Sequence, residues 1–344
     1  MCRGDHQRVR YFVSAIALTL LSAAAFAEDS AADWLVRMSN AAHGANYQGV
    51  VVYRDEDMFE TLSLVHRNLD GKERERLASL TGEPREILRQ DDHVTCLLPK
   101  QRRLTADRPG FRGLFPRMSQ ESVQKLIEHY DLRVAGSARV AGRVCRGVHI
   151  VPKDKYRYGY EFWADEVTAV PLKVTLTAPD KPMVEELVFT QVEFPNTIPD
   201  TAFNQDGTAA GEKHSKKESG PATPAADAAE LPASRWDLRK LPDGFQITMR
   251  SWRELPGHNG NIEHVLVSDG LSAVSVFMAS QSAPDRSSQG FSGFSHMGAV
   301  HAYGRMVDGF HIAVVGEVPA ETVRLIGDGL KQLGNAQAAS PSSQ

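Results

Sequence analysis

The chain has little that would mark an enzyme. Gly293-Phe294-Ser295-His296-Met297 begins like a nucleophile elbow, but the second Gly is missing and the setting is a Ser/Gly-rich loop. No phosphate-cradling Gly-rich loop precedes a helix. His258 and His264 lack Cys or carboxylate partners at ligand spacing. His296 and His301 are five apart, so on one strand they would face opposite ways. The acidic pairs Asp55/Asp57 and Glu185/Glu186 read as solvated surface. The residues therefore offer no catalytic set, no metal site and no cofactor motif. No internal run reaches the length of a membrane span.

Cysteine is scarce too, with three residues in 344. Cys2 belongs to an N-terminal segment in which Arg3, Arg8 and Arg10 precede the apolar stretch Tyr11–Leu21 and then Ala25-Phe26-Ala27. That pattern is a signal peptide with cleavage after Ala27; an uncleaved anchor is the alternative. No Cys follows the small residues, which argues against a lipid-modified N-terminus. Losing three Arg and one Asp with the segment takes the formal charge from −4 to −6. That balance does not favour nucleic acid as a partner. Export leaves Cys96 and Cys145, an even number that would suit one disulfide if their strands are neighbours. Two buried thiols are the alternative.

A third absence divides the chain. Residues 204–230 hold no Val, Ile, Leu, Met, Phe, Trp or Tyr. Nothing there can offset the entropy of ordering, so the stretch reads as a flexible linker. The expected organisation is a signal peptide at 1–27, a domain at 28–203, the linker at 204–230, a second domain at 231–335 and a disordered tail at 336–344.

What is present is strand after strand. Turn residues such as Asp70-Gly71, Thr81-Gly82 and Asp91-Asp92 separate runs at Tyr47–Arg54, Phe59–Arg67, Glu73–Leu80, Arg85–Gln90 and His93–Leu98. Further runs follow at Leu132–Val140, Arg143–Val151, Tyr156–Ala164, Val170–Ala178 and Met183–Phe194. The aromatic-rich run from Tyr156 is expected near the middle of the sheet, and the charged run Glu73–Arg76 is expected on a solvated face. A helix is predicted over Asp29–His43, capped by Ser30 with Asp33 in the capping-box position. Trp34, Leu35 and Met38 form its apolar stripe. Lys100–Arg117 reads as a basic loop bearing aromatics, and Ser119 caps a short helix after it. The second domain is predicted as a small α+β unit with hairpins around Asp269-Gly270 and Asp308-Gly309 and a helix from Pro319.

A strongly curved sheet with a helix inside could enclose an apolar ligand. Trp34, Leu35, Met38, Phe59, Leu62, Phe162 and Trp163 are the candidates for lining such a lipid cavity. Arg102, Arg103, Arg112, Leu114, Phe115 and Arg117 would stand at its mouth, where Arg suits phosphate or carboxylate groups. For each apolar residue, ordinary core packing is the plainer alternative. The hairpin Ala299–Gly316 offers an edge strand to an extended peptide.

Seven separated stretches carry a family resemblance in order. They are Asn46-Tyr47-Gln48-Gly49-Val50-Val51-Val52-Tyr53; Glu75-Arg76-Leu77 with Leu80-Thr81-Gly82-Glu83-Pro84-Arg85-Glu86; Tyr130-Asp131-Leu132; Val140-Ala141-Gly142-Arg143; Leu241-Pro242-Asp243-Gly244-Phe245; Ser268-Asp269-Gly270-Leu271; and Val314-Val315-Gly316-Glu317-Val318-Pro319. The chain resembles the MucB/RseB family, periplasmic negative regulators of a sigma-E type stress response. The resemblance implies an α+β protein: an N-terminal LolA-like half-open antiparallel β-barrel with internal helices, joined by a flexible linker to a smaller α+β C-terminal domain. It implies a partner, the periplasmic domain of a transmembrane anti-sigma factor, shielded from proteolysis until a lipid or lipopolysaccharide ligand displaces the regulator. It leaves room for a homo-oligomer. The linker is longer and richer in Lys, Ala and Pro than the resemblance would suggest. The rival readings are a periplasmic lipid or lipoprotein carrier and an enzyme acting on lipid or cell wall.

Overall fold

A computed structural model describes residues 30–90, 93–98, 102–107, 115–204, 234–254, 261–280 and 291–333. Helix α1 (Ala31–Gly44) opens them. The Ser30 side chain accepts the Asp33 N–H while the Asp33 carboxylate accepts the Ser30 N–H, so the reciprocal cap forms. Its buried face carries Trp34, Leu35, Met38 and Ala42.

Eleven strands follow: β1 (Tyr47–Arg54), β2 (Phe59–Leu69), β3 (Lys72–Ser79), β4 (Glu86–Gln90), β5 (His93–Leu98), β6 (Arg102–Asp107), β7 (Tyr130–Val140), β8 (Arg143–Pro152), β9 (Gly159–Asp165), β10 (Pro171–Ala178) and β11 (Lys181–Glu193). Helix α2 (Gln120–Leu126) interrupts them after β6. They form one sheet in the order β6-β5-β4-β3-β2-β1-β11-β10-β9-β8-β7, with antiparallel pairing throughout. Short turns explain the meander. At the β2–β3 hairpin both Asp70 and Gly71 take positive φ, the geometry that matches strand twist.

The sheet curls without closing. Four register shifts, at Val50/Val51, Ala135/Ser137, Pro171/Lys173 and Leu176/Ala178, all lie in its β1-to-β7 half, and bulges bend strands. Helix α1 touches β2 as well as β7 and β8, and β11 touches β7 across three intervening strands. The helices therefore sit on a concave face.

Several expectations fail here. Strand β9 lies third from one edge, and β1 holds the centre. The stretch read as a loop from Lys100 contains the edge strand β6, on which Arg102 and Arg103 stand. The charged run in β3 is not solvated throughout. Glu73 and Arg76 are buried, and Arg76 pairs with Glu86 on β4. Glu186 is buried as well, held by Arg54 (3.0 Å), Lys173 (2.6 Å) and the Thr175 hydroxyl (3.1 Å). Composition does not show which charges meet across neighbouring strands; register does.

The Cys96–Cys145 disulfide is also corrected. Strands β5 and β8 stand second from opposite edges of the sheet, so the assumed adjacency is absent. Cys145 is a free, buried thiol. The Cys96 side chain lies outside the described residues.

A second sheet has the order β13-β14-β15-β18-β17-β16, from β13 (Gln246–Glu254), β14 (Asn261–Ser268), β15 (Ala273–Ser280), β16 (Gly293–Met297), β17 (Val300–Val307) and β18 (Phe310–Glu317). Helix α3 (Ala320–Gly329), entered through Pro319, packs Val323 and Ile326 on one face. A short pair, β12 (Trp236–Leu238) with β19 (Leu330–Gln332), completes this unit. The Ser/Gly-rich loop at Gly293 is in fact the edge strand β16, which moves the hairpin β17–β18 into the interior of the sheet. His296 and His301 are on paired strands directly opposite each other, with ring centroids 5.8 Å apart.

Candidate functional site

The concave face is filled. Trp34, Leu35 and Met38 from α1 and Val123 and Leu126 from α2 share one apolar cluster with Phe115, Met118, Tyr130, Val148, Ile150, Tyr160, Phe162 and Leu176. Every one of these is buried, and the Phe115 and Phe162 rings meet at 4.6 Å. Of the cavity candidates, Trp34, Leu35, Met38 and Phe162 are thus brought together, as core. Phe59 is not among them; it is 70% exposed at the start of β2. Leu62 belongs to a different cluster with Tyr47, Val51, Leu64 and Phe189, and Trp163 packs against that one. Of the mouth residues, Phe115 is buried and Arg117 is ion-paired, while Arg112 and Leu114 lie outside the described residues.

A polar pocket of about 550 Å3 opens beside the C-terminal half of α1. Ser39, Asn40, His43, Asn68, Glu73, Arg117, Ser119 and Ser122 line it. The Glu73 carboxylate is its organising group. His43 Nδ1 lies 3.2 Å from Oε2, and since a carboxylate only accepts, that nitrogen carries the proton. Arg117 pairs with Oε1, and His66 Nε2 stands 4.0 Å from Oε2. Burial pushes the Glu73 carboxyl upward, but the hydrogen bond from His43, the nearby His66 ring and the Arg117 charge outweigh it. The carboxyl is held well below its ordinary range. His66 is fixed from its other side, donating through Nδ1 to the Ala45 carbonyl at 2.8 Å and stacking on Tyr47 at 4.6 Å.

The two sheets meet at a second polar centre. Arg157, just before β9, has no exposed surface. It donates to Asp269 Oδ2 in the β14–β15 turn (3.0 Å) and to the Asp243 carbonyl (2.5 Å), and it reaches Asp154 at 2.9 Å. Its guanidinium lies near the rings of Tyr130 (5.4 Å) and Phe245 (5.1 Å). The Tyr130 hydroxyl donates to the same Asp269 oxygen at 2.8 Å. Burial first, and then the Asp269 charge, push the Tyr130 phenol well above its ordinary range. Around this centre Tyr160 donates to Glu317 (3.2 Å), the Ala299 N–H to Glu185 (2.6 Å) and the Thr322 hydroxyl to the Tyr156 carbonyl (2.6 Å). Leu271 and Ala299, both from the second unit, are fully buried in the apolar cluster of the first.

The profile of the MucB/RseB N-terminal domain matches residues 30–206, and that of the MucB/RseB C-terminal domain matches residues 230–331. The chain belongs to the MucB/RseB family. The sigma factor AlgU regulatory protein MucB of Pseudomonas aeruginosa is 31% identical over 313 residues, 90% of this chain and 93% of that protein. The sigma-E factor regulatory protein RseB of Salmonella typhimurium is 27% identical over 325 residues, 93% and 97% of the two chains. The solved complex of Pseudomonas aeruginosa MucA/MucB matches with a TM-score of 0.64 at 26% identity, covering 88% of this chain and 99% of that one. A structure of MucB in complex with MucA(peri) matches with the same TM-score at 25% identity.

Sequence reading missed the residues that carry both polar centres of this MucB/RseB chain. Glu73 was hidden in a run of alternating charge. Arg157 stood among aromatics as an unremarked cation, and Asp269 was a turn residue beside Gly270. The Tyr130–Leu132, Leu241–Phe245 and Ser268–Leu271 stretches, among those that mark the family, pointed toward the junction.

Proposed function

We propose that this protein is an exported negative regulator of an extracytoplasmic-function sigma factor. It binds the periplasmic part of a transmembrane anti-sigma factor and shields it from regulated proteolysis. What supports the reading is that the likeness to the MucB chain of a MucA/MucB complex runs through both units. On this reading the mature chain starts after Ala27 and works in the periplasm. A domain at 28–203, a linker at 204–230 and a second domain at 231–335 form its parts. Release follows a lipid or lipopolysaccharide signal. Because side chains of α1 and α2 are packed into the cluster on the concave face, such a ligand enters by displacing helices.

The test is calorimetric titration of the full mature chain with the periplasmic fragment of the anti-sigma factor from the same genome. The expected result is saturable binding that protects the fragment from its protease. Absence of binding to any such fragment sinks the reading. The filled face weighs against the carrier alternative, which labelled-lipoprotein transfer between membranes would detect.

A further inference from the structure

We propose that the segment Phe115–Tyr130 is a coupling element that links the polar pocket to the junction between the two sheets. Its first part closes the pocket. Arg117 pairs with Glu73, the Met118 N–H donates to Ser39 Oγ on α1 at 2.8 Å, and Gln120 donates to Asp33 at 3.2 Å. Its last part rests on the second unit. Leu126 packs toward the turn at Gly270. A Cβ on Gly244, whose φ is +82°, would stand 2.3 Å from the His129 ring. Tyr130 donates to Asp269.

Between these ends the inward-facing side chains are packed. Phe115, Met118, Val123, Leu126 and Tyr130 are all buried. The Ser119 hydroxyl accepts the Ser122 N–H at 3.1 Å, and Lys153 Nζ donates to the Ile127 carbonyl at 2.7 Å. A close-packed element transmits displacement where a loose one would absorb it. The two ends differ in access. The Arg117 side chain is 71% exposed, whereas Asp269 has no exposed side-chain surface. The pocket end is therefore the input, and an anionic group that takes Arg117 from Glu73 is the chemistry that would work it. The inference stands on contacts within this chain, whatever partner it binds.

Hydrogen exchange of the full chain, read by mass spectrometry, provides the test. Arg117→Ala removes the exposed end of the clasp without touching the core. Amides at 243–245 and 268–272 should then exchange about tenfold faster, while those of β15 and β18 keep their rates. Reciprocity requires the converse: Tyr130→Phe, at the junction end, should speed exchange of the Met118 amide. Junction rates unchanged in Arg117→Ala overturn the proposal. So does a uniform rise across the chain, or a Tyr130→Phe effect that stops at the junction.

Discussion

Removing the Asp269 carboxylate should cost more than removing the Arg157 guanidinium, although the two form one ion pair. Both side chains are fully buried. Breaking a buried pair from one side costs about 3–5 kcal/mol, because the remaining charge stays buried. The remaining partners decide where in that range each variant falls. In Arg157→Met the carboxylate keeps the Tyr130 hydroxyl (2.8 Å) and the N–H groups of Leu271 (2.9 Å) and Ser272 (2.6 Å). Three donors remain for one anion, which places the loss near about 3 kcal/mol. In Asp269→Ala the guanidinium keeps Asp154, the Asp243 carbonyl and the Tyr130 and Phe245 rings, while three further donors lose their acceptor together. The loss should be about 5 kcal/mol. The double variant Arg157→Met/Asp269→Ala should fall well short of the sum, since residues in one network are not additive. Urea titration of the full chain, fitted to its first transition, measures all three. An Arg157→Met variant within about 0.5 kcal/mol of wild type would refute the reasoning, as would strict additivity in the double variant.

Acid should destabilise the first unit. Burial pushes the Asp165 carboxyl up, but Arg143, in two bonds of 2.8 and 3.1 Å, and the Thr168 N–H and hydroxyl pull it below the ordinary range; Glu73 is depressed in the same way. Depressed folded-state values give stability that is present above the unfolded carboxylate range of about 4 and is lost as pH falls below it. Melting temperature should therefore hold from neutral pH to about 5 and drop below about 4, and the drop should shrink in Asp165→Asn. The Cys145 thiol, pushed up to about 11 chiefly by burial and by the Asp165 charge, should resist alkylation at pH 8 in the native chain and react once urea unfolds it. Native alkylation at the rate of a free thiol would show that the β8 environment is open.

Local signals carried the fold far. The Ser30/Asp33 box, the Asp70-Gly71 turn and the Pro319 helix start act within a few residues, so they can be read from the chain. Face assignment is a different matter. Period-2 alternation holds in β2, whose register with β1 and β3 is unbroken, and it sends the neighbours Phe162 and Trp163 of β9 to opposite faces. What the alternation does not tell is which of the two faces is the concave one. The junction was invisible for another reason. Arg157 and Asp269 are 112 positions apart, and an Asp before Gly already has a sufficient local role in its turn. Strand β16 escaped because Gly293 and Ser295 imitate a loop, yet the register with β17 supplies the pairing that its composition does not advertise.

The filled concave face sets a scale for any lipid that acts through it. Lifting α1 exposes Trp34, Leu35 and Met38, each worth about 1.5–3 kcal/mol when buried, so the helix resists by about 5–9 kcal/mol. That is comparable with the whole stability of an ordinary domain. A buried methylene returns about 0.8 kcal/mol, so about 6–11 methylenes would be needed to replace the helix. A short amphiphile cannot meet that requirement, whereas one long acyl chain can. The exchange cannot stay local, because α1 and the Phe115–Tyr130 segment share the cluster and the Ser39–Met118 bond. A chain long enough to displace α1 therefore also removes the support beneath Tyr130 and Asp269. On the proposed lipid-release reading, the apolar residues of α1 are the occupant that a lipid would replace, and the junction between the sheets is where that replacement would be felt.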